Sequence, residues 1–217
     1  MHSFQSKLTY GLLAAAILSL SVLVPGCAVP ASEDHSATLE KQFTLRQAMR
    51  KLWEDHITWT RLVIVSTAAG LPDLDATTQR LLQNQVDIGD AIKTFYGDAA
   101  GAKLSALLRE HIIGAATLLA AAKANDQAKL AAARTAWYAN ADEIAAFLSG
   151  ANPTAWTASG MQAMMKEHLD LTLAEAVNQL QGHYRESVAD YDKVHDAILK
   201  MADMLSNGII QQFPKQF

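Results

Sequence analysis

The sequence has few of the residues that mark cross-linked or reactive proteins, with one cysteine, five prolines and eleven glycines among 217 residues. A single cysteine cannot form a disulfide within the chain, and it cannot supply a metal site built from several thiolates. No glycine-rich phosphate loop, nucleophile elbow or Ser/His/Asp order is present, so the motifs indicate no class of enzyme. Whether the protein is an enzyme stays open, and a non-enzyme is the favoured interpretation.

An excess of positive charge is also missing. The 18 lysines and arginines are outnumbered by 22 aspartates and glutamates, which gives a formal net charge of −4. The basic residues form no stripe along any predicted helix. Because nucleic-acid backbones are bound by concentrated positive charge, we expect no nucleic-acid partner.

What the sequence does contain is typical of helices. Half of its residues are hydrophobic, and long stretches rich in Ala, Leu, Glu and Gln are separated by the few glycines and prolines. The pattern predicts an all-α protein, a six-helix up-and-down bundle made of three related helix hairpins. The predicted helices cover approximately residues 44–69, 75–97, 101–125, 126–150, 159–182 and 183–208.

The N-terminal segment resembles a bacterial lipoprotein signal. Lys7 precedes an apolar run over 8–24, which ends in Val24-Pro25-Gly26-Cys27. We predict a signal peptide over 1–26, a lipidated Cys27 that anchors the protein to a membrane, a tether over 27–43 and a helical domain over 44–217. The expected location is the cell envelope, facing the periplasm or the outer cell surface. An ordinary signal peptide with an incidental cysteine is the alternative.

A repeated histidine motif relates the three predicted hairpins. The segments LWEDHI (52–57), LLREHI (107–112) and MMKEHL (164–169) share two apolar residues, a charged residue, an acid, a histidine and an aliphatic residue. Apolar residues stand seven, four and three positions before each histidine and one position after it. This spacing puts His56, His111 and His168 on the buried stripes of their helices.

The second helices of the hairpins carry matching polar residues. Asn84 and Asn140 occupy equivalent positions inside apolar faces, and Asp87 and Glu143 align at the edges of those faces. We interpret the two asparagines as partners that hydrogen-bond the neighbouring histidines and fix their tautomers. The sixth helix offers the looser match Tyr191 and His195, which predicts that His195 also faces inward.

Glu175 breaks the repeat. Seven residues after His56 and His111 come Val63 and Leu118, whereas seven residues after His168 comes a carboxylate. A lone buried carboxylate is costly, so Glu175 should be paired, protonated or bound to a cation. His195, Arg61 and a metal ion are the candidate partners.

Two main hypotheses follow. In the first, the inward histidines and Glu175 bind a transition metal such as Zn, Fe or Cu, for which imidazole and carboxylate are suitable ligands. The remaining polar residues would then support these ligands. In the second, the histidines form an internal hydrogen-bond layer in a structural or interaction lipoprotein without catalysis. The predicted ligands are His56, His111, His168, Glu175 and His195, and the predicted supporting residues are Asn84, Asp87, Asn140, Glu143 and Tyr191.

Four segments resemble an exported, helical bacterial family with no established function. They read EDHITWTR (54–61), NQVDIGDAI (84–92), EHLDLTLAE (167–175) and QFP (212–214). The likeness implies that the predicted mature region forms one intact helical domain. It implies no chemistry.

Overall fold

The structure is a computed structural model that describes residues 31–217. The predicted signal peptide and Cys27 lie outside the described residues, so the lipid anchor stays a prediction. Over 31–217 the protein is all-helical and contains no strand. It has five α-helices, which are α1 (Ala31–Ala69), α2 (Leu74–Lys123), α3 (Gln127–Ala151), α4 (Ala158–Leu180) and α5 (Tyr184–Gln212), followed by a 3-10 turn over Pro214–Gln216.

Several helix ends lie where the sequence predicts them. Gly70 and Gly182 follow α1 and α4 with φ angles of 67° and 77°, the left-handed conformation that glycine adopts without strain. Asp126 caps α3 by accepting a hydrogen bond from the backbone N–H of Lys129 at 3.1 Å. The hydroxyl of Thr157 caps α4 in the same way.

The predicted count of six helices is not confirmed, because residues on both sides of Gly97 are helical with no loop between them. Gly97 itself has φ 83° and ψ 166°, which lies outside the helical region. A Cβ atom on Gly89 would lie 2.5 Å from the carbonyl oxygen of Gly101. Residues twelve apart in a straight helix would be separated by about 18 Å. The chain therefore reverses direction within α2, at Gly97.

The part of the predicted tether that the structure describes is helical. Residues 31–43 form the first turns of α1, and the side chains of Leu39 and Phe43 are exposed. No glycine or proline interrupts the sequence between Ala31 and Ala69. The helix of the bundle can therefore extend toward the N-terminus without a break, even where it buries little apolar surface.

The helices form a closed bundle. Each helix packs against its neighbour in sequence, and α5 also packs against α1. The C-terminal residues fold back onto one end, where the rings of Phe213 and Phe217 lie 5.7 and 5.9 Å from the ring of Phe95. Among residues 31–217, α2 alone has the length and apolar composition of a membrane-crossing helix, and 44% of its most apolar 18-residue window is buried in the bundle. This is weak evidence for a membrane span, because core helices share both properties.

Candidate functional site: a buried histidine cluster

Three imidazoles meet in the middle of the bundle. His56 on α1, His111 on α2 and His168 on α4 are only 2%, 3% and 5% exposed, which agrees with their predicted place on the apolar stripes. We call these three residues the histidine cluster. Their burial follows from the flanking apolar residues, because Leu107, Leu108, Ile57 and Leu169 and their equivalents pack into the core.

The ring of His168 lies beside the rings of the other two histidines. The ring centroid of His168 lies 5.7 Å from that of His56 and 6.3 Å from that of His111. Two tryptophans flank them. Trp137 stacks on His111 at 5.2 Å, and Trp53 meets His56 edge-on at 5.7 Å. The imidazoles thus lie beside aromatic and aliphatic surface.

Asn140 determines the tautomer of His111. Its amide nitrogen donates to the carbonyl oxygen of Leu107 at 3.1 Å, so its Oδ1 must be the atom that lies 2.9 Å from Nδ1 of His111. The oxygen can only accept, so Nδ1 of His111 carries the proton and donates it. Nε2 of a neutral His111 is then left with a free lone pair.

The first hairpin repeats part of this arrangement. The amide nitrogen of Asn84 donates to the carbonyl oxygen of Leu52 at 3.0 Å, four residues before His56, as Asn140 does four residues before His111. The group beside the imidazole differs between the hairpins. Nε2 of Gln85, and not an asparagine oxygen, lies 3.3 Å from Nδ1 of His56. Gln85 is fully buried. Sequence reasoning missed it, because its equivalent in the next hairpin is Ala141 and the repeat gives no signal there.

His168 differs from the other two. Its Nδ1 is buried and has no hydrogen-bond partner among residues 31–217. Buried polar atoms are nearly always paired in folded proteins, so an unpaired ring nitrogen on a histidine that lies beside two other imidazoles is unusual.

The cluster is uncharged near neutral pH. Burial lowers the pKa of His56 to about 3, and the neighbouring His111 lowers it further while the amides of Asn84 and Gln85 oppose the shift. Burial likewise lowers the pKa of His111 to about 4. Burial and the two other imidazoles place the pKa of His168 well below its usual value. The dominant cause in each case is the cost of charging a ring that is out of contact with water.

Glu175 lies apart from the cluster. It is 1% exposed and seven residues after His168, which is about 10 Å along α4. The guanidinium of Arg61 donates to its carboxylate at 2.7 Å, so of the three candidate partners the structure gives it Arg61. Burial raises the pKa of Glu175 to about 7, while Arg61 opposes the shift and Asp190 adds to it.

Further polar groups from α4 and α5 surround this ion pair. Arg61 also contacts the hydroxyl of Ser187 at 3.2 Å, and that hydroxyl donates to Gln179. The ring of Tyr191 lies beneath the guanidinium of Arg61, 5.2 Å from its central carbon. Asp190 is bound by Asn178 and Lys193, and the lysine beside it holds the pKa of that carboxyl below its ordinary value.

His195 is not part of the buried cluster. Its side chain is 33% exposed, and its Nε2 lies 2.9 Å from the carboxylate of Glu54 at the surface. The prediction that His195 faces inward is therefore wrong. The buried stripe of α5 runs through Val194 and Ile198, and His195 lies one position to its side.

The two predicted edge carboxylates also lie outside the cluster. Asp87 is partly exposed, accepts from Gln83 at 3.0 Å and faces Arg80 at 3.7 Å. Glu143 is exposed. Among residues 31–217, no group of three or more His, Asp and Glu side chains has its donor atoms arranged to hold a metal ion.

Comparisons with protein-family models, with curated proteins and with solved structures found no match to this chain.

Proposed function

We propose that the protein is a lipid-anchored protein of the cell envelope whose histidine cluster binds one transition-metal ion. The signal pattern ending at Cys27 supports the anchor and the envelope location. The cluster supports the metal, because imidazole nitrogen is a ligand for Zn, Fe and Cu, and bundles hold metals with side chains from facing helices.

The observation that carries the proposal is the unpaired Nδ1 of His168 beside two other buried imidazoles. With metal–nitrogen bonds of about 2.1 Å, the centroids of two rings sharing one metal are at most about 6.4 Å apart. The distances from the ring of His168 to those of His56 and His111, 5.7 and 6.3 Å, lie inside this limit. Binding would require rotation of the rings about their side-chain torsions so that their nitrogens are directed at one point.

The amide of Asn140 suits the same function. A histidine that ligates a metal usually donates its other ring N–H to an acceptor, which fixes the orientation of the ring. Asn140 accepts that proton from His111 and leaves Nε2 for a metal. The proposed ligands are the histidine cluster alone, since Glu175 is paired with Arg61 and His195 with Glu54.

Metal analysis of the purified protein tests this proposal. The mature chain is expressed without its anchor, dialysed and equilibrated separately with Zn²⁺, Fe²⁺ and copper, and the bound metal and melting temperature are measured. We expect one ion per chain and a raised melting temperature, because a ligand of the native state stabilises it. His168→Asn should lose the ion and His195→Gln should keep it. Absence of stoichiometric metal under every condition would contradict the proposal.

A second candidate is an anchored structural or interaction protein without catalysis, in which the cluster is an internal hydrogen-bond layer. The pairing of Asn140 with both His111 and Leu107 favours it, since this bond is complete without a metal. It is distinguished by the same measurements. His111→Gln would lower stability, and the metal content of the wild-type protein would be zero.

A further inference from the structure

We infer that two exposed apolar side chains on the first turns of α1, Leu39 and Phe43, lie on the surface of the lipid bilayer to which Cys27 is predicted to be attached. We call this pair the apolar ridge. The inference rests on the lipid anchor of the proposed function and goes beyond it, because it assigns the folded domain a membrane contact of its own and a fixed orientation on the membrane.

The apolar ridge points away from the bundle. Leu39 is 52% exposed and Phe43 is 60% exposed, and residues four apart lie on one face of a helix. Other residues form the inward face of the same turns, since Leu45 is half-buried and Met49 is buried. The ridge is therefore not part of the core, and in water it exposes two large apolar side chains next to each other.

The ridge lies at one end of the bundle. The helices α1 and α5 pack against each other in opposite directions. Arg46 donates to Asn207 at 2.9 Å, so this turn of α1 lies beside the last turns of α5, which ends five residues later at Gln212. The same distance toward the N-terminus from Arg46 reaches residue 41, so the first turns of α1 continue past the end of α5. The ridge therefore lies where the chain leaves the bundle toward Cys27.

The predicted anchor keeps the ridge near the membrane. The four residue steps from Cys27 to Ala31 span at most about 14 Å. The helix adds about 18 Å between Ala31 and Phe43, so Phe43 lies at most about 32 Å from the lipidated residue. A connection this short gives the ridge a high effective concentration at the bilayer surface. A contact that is too weak for a free protein therefore becomes populated in the anchored one.

The charges beside the ridge suit a lipid surface. Leucine and phenylalanine side chains enter the boundary between headgroups and acyl chains, and basic residues beside them attract anionic headgroups. Lys41 is exposed, and Arg46 is bound to the neutral amide of Asn207. Glu40 is the only acid in the sequence between residues 35 and 46. The ridge is thus flanked by a small excess of positive charge in a chain whose net charge is −4.

Exposure alone does not identify the membrane contact. Tyr184 and Val188, at the start of α5, are 63% and 52% exposed and have the same spacing as the ridge. Tyr184 lies about 35 Å along α5 from Asn207, at the opposite end of the bundle. The position of Cys27 in the sequence therefore favours the apolar ridge, and the pair on α5 provides a matched control.

Fluorescence quenching by brominated lipids tests the inference. The full-length protein is produced in a bacterial host, extracted in detergent and reconstituted into liposomes of phosphatidylethanolamine and phosphatidylglycerol, with or without brominated acyl chains. A lipidated Cys27 has no free thiol, so an environment-sensitive fluorophore attaches only to an introduced cysteine, Ser36→Cys beside the ridge or Ala189→Cys beside the control pair. We expect the probe at residue 36 to lose at least about half of its emission to bromine, and the probe at residue 189 to lose almost none.

The variant Leu39→Ser/Phe43→Ser separates the effect of the ridge from that of the anchor. Residue 36 is close to Cys27 in sequence, so the anchor by itself brings its probe toward the lipid. Without the ridge, quenching at residue 36 should fall by at least about threefold. The control variant Tyr184→Ser/Val188→Ser should leave that quenching unchanged. All four substituted side chains are exposed, so both variants should keep the fold of the bundle, which circular dichroism verifies.

Mass spectrometry of Cys27 separates failure of the anchor from failure of the ridge. If Cys27 carries lipid and the ridge variant is quenched as strongly as the wild type, the anchor alone explains the quenching and the inference is overturned. Equal quenching of the two probes also overturns it, because the bundle then has no fixed orientation. An unquenched probe at residue 36 in a protein that cross-links as a dimer would assign the ridge to a second copy of the chain instead. If Cys27 carries no lipid, the anchor fails and the inference fails with it, while metal analysis decides separately on the histidine cluster.

Discussion

The bundle buries polar groups in two regions, one of which is uncharged while the other contains an ion pair. The histidine cluster stays neutral, because desolvation lowers the pKa values of its imidazoles. Glu175 pairs with the guanidinium of Arg61 at 2.7 Å. The two regions lie about two turns apart along α4, where His168 and Glu175 occupy positions seven residues apart. One helical stripe thus holds an uncharged polar layer and an ion pair.

The hairpin repeat accounts for the histidine cluster but not for the ion pair. Equivalent histidines recur in all three hairpins, whereas the positions equivalent to Glu175 hold Val63 and Leu118, both of which are buried. An apolar residue therefore satisfies the Glu175 position in two of three hairpins. The ion pair is found only in the third hairpin. Replacing both of its residues by apolar ones should therefore lower the stability of the protein less than replacing one of them.

The largest expected effect comes from breaking the ion pair on one side. Arg61→Met leaves Glu175 buried beside Asp190 without a cation, and the free energy of unfolding at pH 7.5 should fall by about 3–5 kcal/mol in urea titrations. The control is the double variant Arg61→Met/Glu175→Leu, which restores the apolar pattern of the other hairpins. It should unfold within about 1 kcal/mol of the wild type, or be more stable. A double variant as unstable as the single one would show that the pair is required.

Acid should destabilise the metal-free protein through the histidine cluster. The folded pKa values of His56 and His111 are about 3 and about 4, against 6.5 in the unfolded chain, and that of His168 is also lowered. Below pH 6.5 the unfolded state therefore binds more protons, and each histidine lowers stability by up to about 1.4 kcal/mol per pH unit once its unfolded form is fully protonated. The stability that they provide is complete above pH 6.5 and is lost as the pH falls toward 4.

Glu175 contributes with the opposite sign. Its pKa is raised from 4.5 to about 7, so between these values the folded state holds the proton more tightly and gains stability as the pH falls. The net loss in the wild type between pH 6.5 and 5.5 should thus be about 2 kcal/mol, and Glu175→Gln should make it steeper. Urea unfolding at half-unit pH intervals measures both slopes. An unchanged slope in Glu175→Gln would mean that Glu175 is ionised throughout this range.

A smaller effect is expected from the amides that support the imidazoles. Asn140→Ala leaves the Nδ1–H of His111 and the carbonyl oxygen of Leu107 without partners, and the cost should be about 2 kcal/mol. Asn84→Ala should cost a similar amount by freeing the carbonyl oxygen of Leu52 and one partner of Gln85. Chemical denaturation measures both. A loss confined to Asn140→Ala would show that Gln85 replaces Asn84 as the support of His56.

These regions also differ in how far the sequence predicts them. The burial of His56, His111 and His168 follows from apolar residues at fixed spacing, a local signal that every hairpin repeats. The unusual character of Glu175 follows from the same register, because a carboxylate stands where an aliphatic residue is expected. Arg61 could be named only as one candidate, since the pairing of two helices 114 residues apart depends on tertiary packing.

The failures have physical causes as well. Gln85 carries no repeat signal, because the equivalent position holds Ala141. The chain reverses direction at Gly97 with only one non-helical residue, so a glycine in the sequence does not show whether a loop separates two helices. The prediction that His195 faces inward is wrong because α5 matches the second helices of the other two hairpins only loosely. An error of one residue in the alignment rotates a side chain by about 100° around the helix.

The smallest effect is expected at His195. Its substitution tests whether the contribution of a histidine to stability depends on its burial. His195 is partly exposed and its partner Glu54 is 52% exposed, so the pair lies in water and should contribute at most about 1 kcal/mol. His195→Gln should therefore leave the urea midpoint at pH 7.5 nearly unchanged, whereas His168→Gln should lower it clearly. A steep loss of stability in His195→Gln would instead show that His195 contributes to stability as the residues of the histidine cluster do.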